Sequence, residues 1–280
     1  MHPSTFYKYL SPERIDVLQN LRIRFTQVSA LNDPFESYPG VLIGSRDWYL
    51  NIFRARIEGE MNQLSIRSEA KRKQYWRTKK NEFEHFHKCY TDVKWLLEQS
   101  ELVQHMSDTV QGCLSLSVTA SNILMWSHYA QNHTGYVLGF YAEHDYFGGS
   151  VDPVNYSGER PLHNHFEHKH SGELFYAKSL DWSYEQEYRK FQSFVKPIML
   201  PNGNSFLPYL EPTGPRPIND KVVLFPFPLD AVACVIVGWK ASSAFQAALK
   251  QALAVNKLDG VPIYRARPSL TKYEMEVVAL

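Results

Sequence analysis

The stretch Trp182-Ser183-Tyr184-Glu185-Gln186-Glu187-Tyr188-Arg189 sets two carboxylates two residues apart, with an arginine two residues further on. Side chains alternate across a strand, so in an extended chain Glu185, Glu187 and Arg189 share one face. Two readings stay open. One is a cross-strand network of ion pairs. The other is a carboxylate held ionised by Arg189 beside a cleft, where it would stabilise a cation. Ser183 and Gln186 also have the spacing of a helix capping box.

Two further segments combine rings with polar or charged groups. In Phe6-Tyr7-Lys8-Tyr9-Leu10, a strand would put Tyr7 and Tyr9 on one face and Lys8 on the other. In Asn122-Ile-Leu-Met-Trp-Ser-His-Tyr-Ala130, helical spacing brings Trp126, Tyr129 and Ala130 to one side and pairs Met125 with Tyr129. Such a stripe serves either a core or a stacking platform, and buried ring polar groups then need partners. Between them, Asn32-Asp33-Pro34-Phe35-Glu36 reads as a turn. Pro34 drives Asp33 from helical angles, and Asn32 and Asp33 can bond back to local backbone.

His163, His165, His168 and His170 lie within eight residues, with Glu167 among them. Imidazoles so spaced can share a metal, but the stretch is polar and loop-like, and no metal is expected. Cys89, Cys113 and Cys234 form no CxxC pair and read as free thiols in a reducing compartment. The chain holds no phosphate-cradling glycine loop, no HExxH and no GxSxG.

These groups need a scaffold. Ser11-Pro12-Glu13-Arg14 reads as a helix start. Leu21, Ile23 and Phe25 alternate with polar residues at strand period, as do Leu114, Leu116 and Val118. Ser121 or Asn122 caps a helix from Ile123 to Gln131, and Tyr136–Tyr141 reads as a buried strand. Residues 148–172 read as polar loop, and 182–195 as containing a strand. Residues 197–220, with six prolines, read as irregular. A strand at 231–237, an Ala-rich helix at 242–255 and a strand at 261–265 suggest one parallel crossover, and 273–280 reads as a last strand. Residues 47–110 contain no proline and are rich in Arg, Lys, Glu and Gln, which calls for amphipathic helices. The expectation is a single α+β domain over 1–280, with small mixed or antiparallel sheets around a cleft and a helical insertion at 47–110.

The 280 residues carry 30 Lys+Arg against 29 Asp+Glu, and 44% are apolar. This is ordinary globular composition and argues against a globally basic nucleic-acid binder. A local patch stays open: seven bases against one acid lie between Arg67 and Lys80, either a solvated helix face or a surface for nucleic acid or an acidic partner. The start has no apolar leader core and no run is long enough to span a bilayer, so a cytoplasmic protein is expected.

Taken in order, Tyr7-Lys8-Tyr9, Asn32–Glu36, Met125–Ala130 and Trp182–Arg189, with Ile236-Val237-Gly238, resemble the bacterial family DUF2971. The aromatic-basic-aromatic strand, capped helix, second strand and late acidic strand also resemble the opening of ADP-ribosyltransferase-fold enzymes. Lys8 stands where that fold carries His or Arg, and Leu114-Ser115-Leu116-Ser117 is the nearest match to its Ser-Thr-Ser strand. The resemblance implies NAD in a cleft between two small sheets. It implies Glu187 as the catalytic carboxylate with Glu185 its competitor, and Arg189 orienting Glu187. Tyr7, Lys8, Tyr9, Ser115, Trp126 and Tyr129 would contact NAD. The expected activity is cleavage of the nicotinamide–ribose bond, with transfer to a macromolecule or water. The rivals are a nucleic-acid-acting or nucleic-acid-binding defence or toxin effector, and a non-catalytic interaction module.

Overall fold

A computed structural model describes residues 3–38, 40, 45–149, 151–162, 172–194, 198–199, 205–206 and 222–280. The first strand, β1 (Thr5–Leu10), runs into a 3₁₀ turn opened by Pro12 and then α1 (Asp16–Asn20). Leu21 closes that helix in the left-handed region at φ 52°, so β2 begins at Arg22 and ends at Phe25. Four helices follow: α2 (Arg46–Gln63), α3 (Glu69–Thr78), α4 (Lys80–Thr91) and α5 (Val93–Val110). Next come β3 (Gln111–Ser117), α6 (Ile123–Tyr129) and β4 (Tyr136–Tyr141). Short strands β5 (Val151–Pro153), β6 (Asn155–Ser157) and β7 (Ala177–Ser179) precede β8 (Glu187–Ser193). The pair β9 (Ile198–Met199) and β10 (Ser205–Phe206) is followed by β11 (Val223–Pro226) and β12 (Val232–Val237). The chain closes with α7 (Ser243–Val255), β13 (Ile263–Pro268) and β14 (Met275–Ala279).

The fold is α+β. Eight strands form one mixed sheet in the order β14-β13-β12-β4-β1-β3-β8-β5, beside two-stranded sheets β9/β10, β2/β11 and β6/β7. Only β12 and β13 run parallel within the large sheet, and α7 is their crossover. Two seams differ sharply. β1 pairs with β4 over six residues but with β3 only at Tyr7 opposite Ser117. The sheet therefore parts between β1 and β3.

Alternation along the strands explains the layers. Phe6, Leu114, Leu138 and Phe140 face α1 and α7, where Val17, Leu18, Leu249 and Leu253 complete a core. Tyr9, Val137 and Ile236 face the other way, against Met125 and Trp126 of α6. Helices α2–α5 have their own core around Tyr49, Phe53, Ile57, Met61, Phe83 and Leu96. Among the bonds that tie α5 to the body, Ser29 N donates to Asp108 Oδ1 at 3.1 Å, and Gln104 Nε2 to the Glu36 carbonyl at 2.8 Å.

Three local expectations change. Residues 148–172 are not all loop. Val151 pairs with Lys190, and Asn155–Ser157 pair in parallel with Ala177–Ser179, because neighbouring strands accept their polar backbone. Ser183 and Gln186 form no capping box. Leu180–Glu185 is a 3₁₀ turn capped by Ser179, and Gln186 leaves it in the left-handed region at φ 45°. Glu185 thus sits on that turn, and only from Glu187 is the chain a strand.

Gly238 is required by close approach. A Cβ there would lie 2.2 Å from the His133 carbonyl oxygen and 2.8 Å from that of Gly135. Gly238 N also donates to Gly135 O at 2.9 Å. Gly238→Ala should destabilise the fold by about 2 kcal/mol or more, read as a lowered urea midpoint at unchanged slope.

Candidate functional site

The parting of β1 and β3 opens a cavity of about 100 Å³. Tyr7, Lys8 and Tyr9 line it from one strand, and Ser115, Leu116 and Ser117 from the other. Lys8 Nζ reaches across the gap to donate to the Ser115 carbonyl at 2.8 Å. Burial lowers the affinity of this lysine for its proton, although nearby Glu187 and Glu185 work the other way. Glu185, Glu187, Lys178 and Tyr129 complete the wall, with Asn32 above them.

Arg189, fully buried, organises the acids. Its Nε donates to Glu187 Oε1 at 3.0 Å and its Nη2 to Glu187 Oε2 at 2.9 Å. Nη1 donates to Glu36 Oε1 and, at 2.6 Å, to the Phe175 carbonyl. Lys178, also buried, donates to Oε2 of both Glu185 and Glu187 and sits over the Trp182 ring at 5.0 Å. The chain holds the cluster from several sides. Tyr156 OH accepts from Glu187 N at 2.8 Å, and Ser117 Oγ donates to the Glu185 carbonyl at 2.6 Å. Asn122, the N-cap of α6, donates from Nδ2 to the Tyr184 carbonyl at 3.2 Å.

The two acids differ. Glu187 has both oxygens on Arg189 and one also on Lys178. Burial alone would raise its carboxyl, but Arg189 and then Lys178 outweigh it and hold it at about 2. Glu185 is gripped less completely: Lys178 takes Oε2, and Tyr129 OH donates to Oε1. Asn32 Nδ2 in turn donates to Tyr129 OH at 2.6 Å. Burial and then the Glu185 carboxylate raise the Tyr129 phenol, so it stays a donor. Glu36 is pushed up by burial, and its Oε2 is buried with no hydrogen-bond partner among the described residues.

The Glu187 shift has a pH consequence. Its folded value of about 2 lies below the ordinary 4.5, so its contribution is full above about 4.5 and is lost as pH falls toward 2. Wild-type unfolding free energy should fall by about 3 kcal/mol across that window. Glu187→Gln should flatten the profile in a pH series of urea unfolding.

Of the sequence-nominated residues, Tyr7, Lys8, Tyr9, Ser115, Tyr129, Glu185 and Glu187 meet at this cavity. Arg189 lies behind Glu187. Trp126 does not reach the wall: it is fully buried, donates from Nε1 to the Ala120 carbonyl at 2.8 Å and packs edge-on against Tyr9. It shapes the cavity only by backing Tyr9. Lys178, Glu36, Asn32 and Tyr156 were not singled out as site residues from sequence. Asn32 and Glu36 carried a signal, since both belong to the Asn32–Glu36 motif. Lys178 and Tyr156 carried none, because their strands β6 and β7 are legible only through pairing.

In the basic run, Arg72 pairs with Glu58, Lys73 with Glu69, and Lys79 with Glu60 and Glu82. Arg67, Lys71, Arg77 and Lys80 are exposed, so the run is a helix surface broken by its own ion pairs. His163, His165, His168 and His170 lie outside the described residues. Among those described, no group of three or more His, Cys, Asp or Glu could hold a metal ion, and no helix is long and apolar enough to cross a membrane.

Residues 125–190 match the model of a family described as a protein of unknown function, DUF2971. The matched segment runs from Met125 through Glu185, Glu187 and Arg189. No curated protein and no solved structure matches the chain.

Proposed function

We propose that the chain binds NAD in the parting of the sheet and cleaves its nicotinamide–ribose bond, as the resemblance to ADP-ribosyltransferase-fold enzymes implies. The observation that carries this reading is the shared cavity: an aromatic-basic-aromatic strand on one wall faces a buried pair of carboxylates on the other.

Fit supports it. A cavity of about 100 Å³ holds only part of a dinucleotide. A second cavity of about 320 Å³ shares Lys8, Tyr9, Thr26, Leu31, Asn32 and Tyr129 with it. The two adjoin across these shared walls, and together they are on the scale of cofactor-sized pockets. The narrow acidic end suits the nicotinamide ribose, and the wider end the rest of the molecule.

In this reading Glu185 is the carboxylate offered to substrate. Glu187 is the buried counter-charge of Arg189 and Lys178, and Arg189 positions Glu187. Glu185 accepts a hydrogen bond from a ribose hydroxyl. As the C–N bond breaks, its electron pair leaves with neutral nicotinamide and the sugar becomes cationic. The fixed negative charge of Glu185 stabilises that cation more than the ground state. Tyr129 and Lys178 hold the carboxylate so that it need not reorganise. Water or an acceptor nucleophile then bonds to the sugar carbon and loses its proton.

Incubation with NAD should release nicotinamide. The reduced dinucleotide, whose ring lacks the positive charge that makes it a leaving group, should give none. Absence of nicotinamide release from NAD, with or without an added protein or nucleic-acid acceptor, overturns the proposal.

A further inference from the structure

The wider cavity has a chemistry of its own. Lys8, Arg14 and Arg24 all line it, and no carboxylate does. Arg24 Nε is buried with no hydrogen-bond partner among the described residues. Arg14 is tied to Asp16 through Nε at 3.0 Å. It lies near enough to Lys8 to add to the depression of that ammonium. Three cations thus converge on one space that no carboxylate among the described residues lines.

The fold holds them there for identifiable reasons. Arg24 is on β2, whose backbone is fixed by pairing with Leu224 of β11. Arg14 is in the turn opened by Pro12, and the Arg14 carbonyl accepts from Tyr136 OH at 2.9 Å. Lys8 is anchored on Ser115 O at the junction of the two cavities. The cationic end therefore begins where the acidic end stops.

We infer that this end is a diphosphate subsite, with Arg24 as its principal ligand and Arg14 and Lys8 beside it. Its ligand class is a nucleoside diphosphate or a dinucleotide carrying one. The inference deepens the NAD reading and rests on it for the identity of the natural ligand. It needs only the anionic part of that ligand, since charge-assisted bonds from guanidinium to phosphate oxygens are the strong ones. The shared walls with the acidic end explain why one molecule would use both: an anionic centre and an incipient sugar cation occur together in a pyridine dinucleotide.

The experiment is calorimetric titration of the whole chain with NAD, ADP-ribose, ADP and the phosphate-free nicotinamide riboside. Wild type, Arg24→Met and Arg24→Lys are compared, with melting temperatures to confirm folding. Arg24→Met should weaken ADP-ribose and ADP by about 10-fold or more. Arg24→Lys should recover part of that loss, and neither variant should move nicotinamide riboside. Equal affinity of Arg24→Met and wild type for the diphosphates overturns the subsite, even if wild type releases nicotinamide. Diphosphate binding that depends on Arg24, without nicotinamide release, upholds the subsite and overturns the NAD-cleaving reading. If no phosphate-bearing compound binds wild type, the subsite falls. Should both Arg24 variants fail to fold, Arg14→Met is titrated instead: weaker diphosphate binding there upholds the subsite, and affinity equal to wild type overturns it.

Discussion

Glu185→Gln is expected to reduce nicotinamide release from NAD by a factor of about 10² to 10³, the usual cost of removing a preorganised charge from a reacting centre. Folding should survive. The amide oxygen keeps the acceptor for Lys178, the amide NH2 can donate to Tyr129 O in place of the lost bond, and the Arg189 pair is untouched. Affinity for NAD should change far less than turnover, because the carboxylate acts on charge that develops only as the bond breaks. Nicotinamide release by this variant at the wild-type rate removes Glu185 from the chemistry. If Glu187→Gln, corrected for its stability, then abolishes release, the other acid is the one that faces substrate.

Arg189→Met should give the largest structural effect. Its guanidinium joins Glu187, Glu36 and the Phe175 carbonyl with full burial. Removing one partner of a buried ion cluster leaves uncompensated charge and typically costs about 3–5 kcal/mol. Glu36 and Glu187 would then lie close together with Lys178 as the remaining cation on the Glu187 side. The variant should unfold at markedly lower urea, and adding Glu36→Gln should restore part of the loss by removing one of the two stranded carboxylates. A full-strength Arg189→Met single variant would mean the cluster relaxes or takes up water, and that the acids are not held by this residue. A coupling energy near zero in the double-mutant cycle would say the same of Glu36.

These two expectations separate roles that a sequence cannot. In an extended chain Glu185, Glu187 and Arg189 are equivalent members of one face. The 3₁₀ turn at Leu180–Glu185 breaks that equivalence: Glu185 leaves the strand before it begins, meets Tyr129 and Lys178, and retains acceptor capacity toward the cavity. Glu187, the first strand residue, is locked to Arg189. The turn forms because Ser179 caps it and Gln186 tolerates left-handed angles, and neither is signalled by the spacing of the acids.

What the amino-acid order determined alone was whatever depends on neighbours within about a turn of helix or a few strand residues. The period-two pattern of Phe6–Leu10, the apolar run Tyr136–Tyr141 and the Ser242-capped helix before Ile263 are of this kind, since solvent exposure there follows from local periodicity. So is the aromatic stripe of α6, although its side was legible and its role was not: Trp126 went to the core and Tyr129 to the cavity. Tertiary structure alone decided the parting of β1 from β3, the arrival of Lys178 between two glutamates, the link from Arg189 back to Glu36 and the meeting of Arg24 with Lys8. Each joins segments whose separation along the chain carries no periodic trace. Their energies come from burying charge beside opposite charge, a term that exists only once the distant partner is in place.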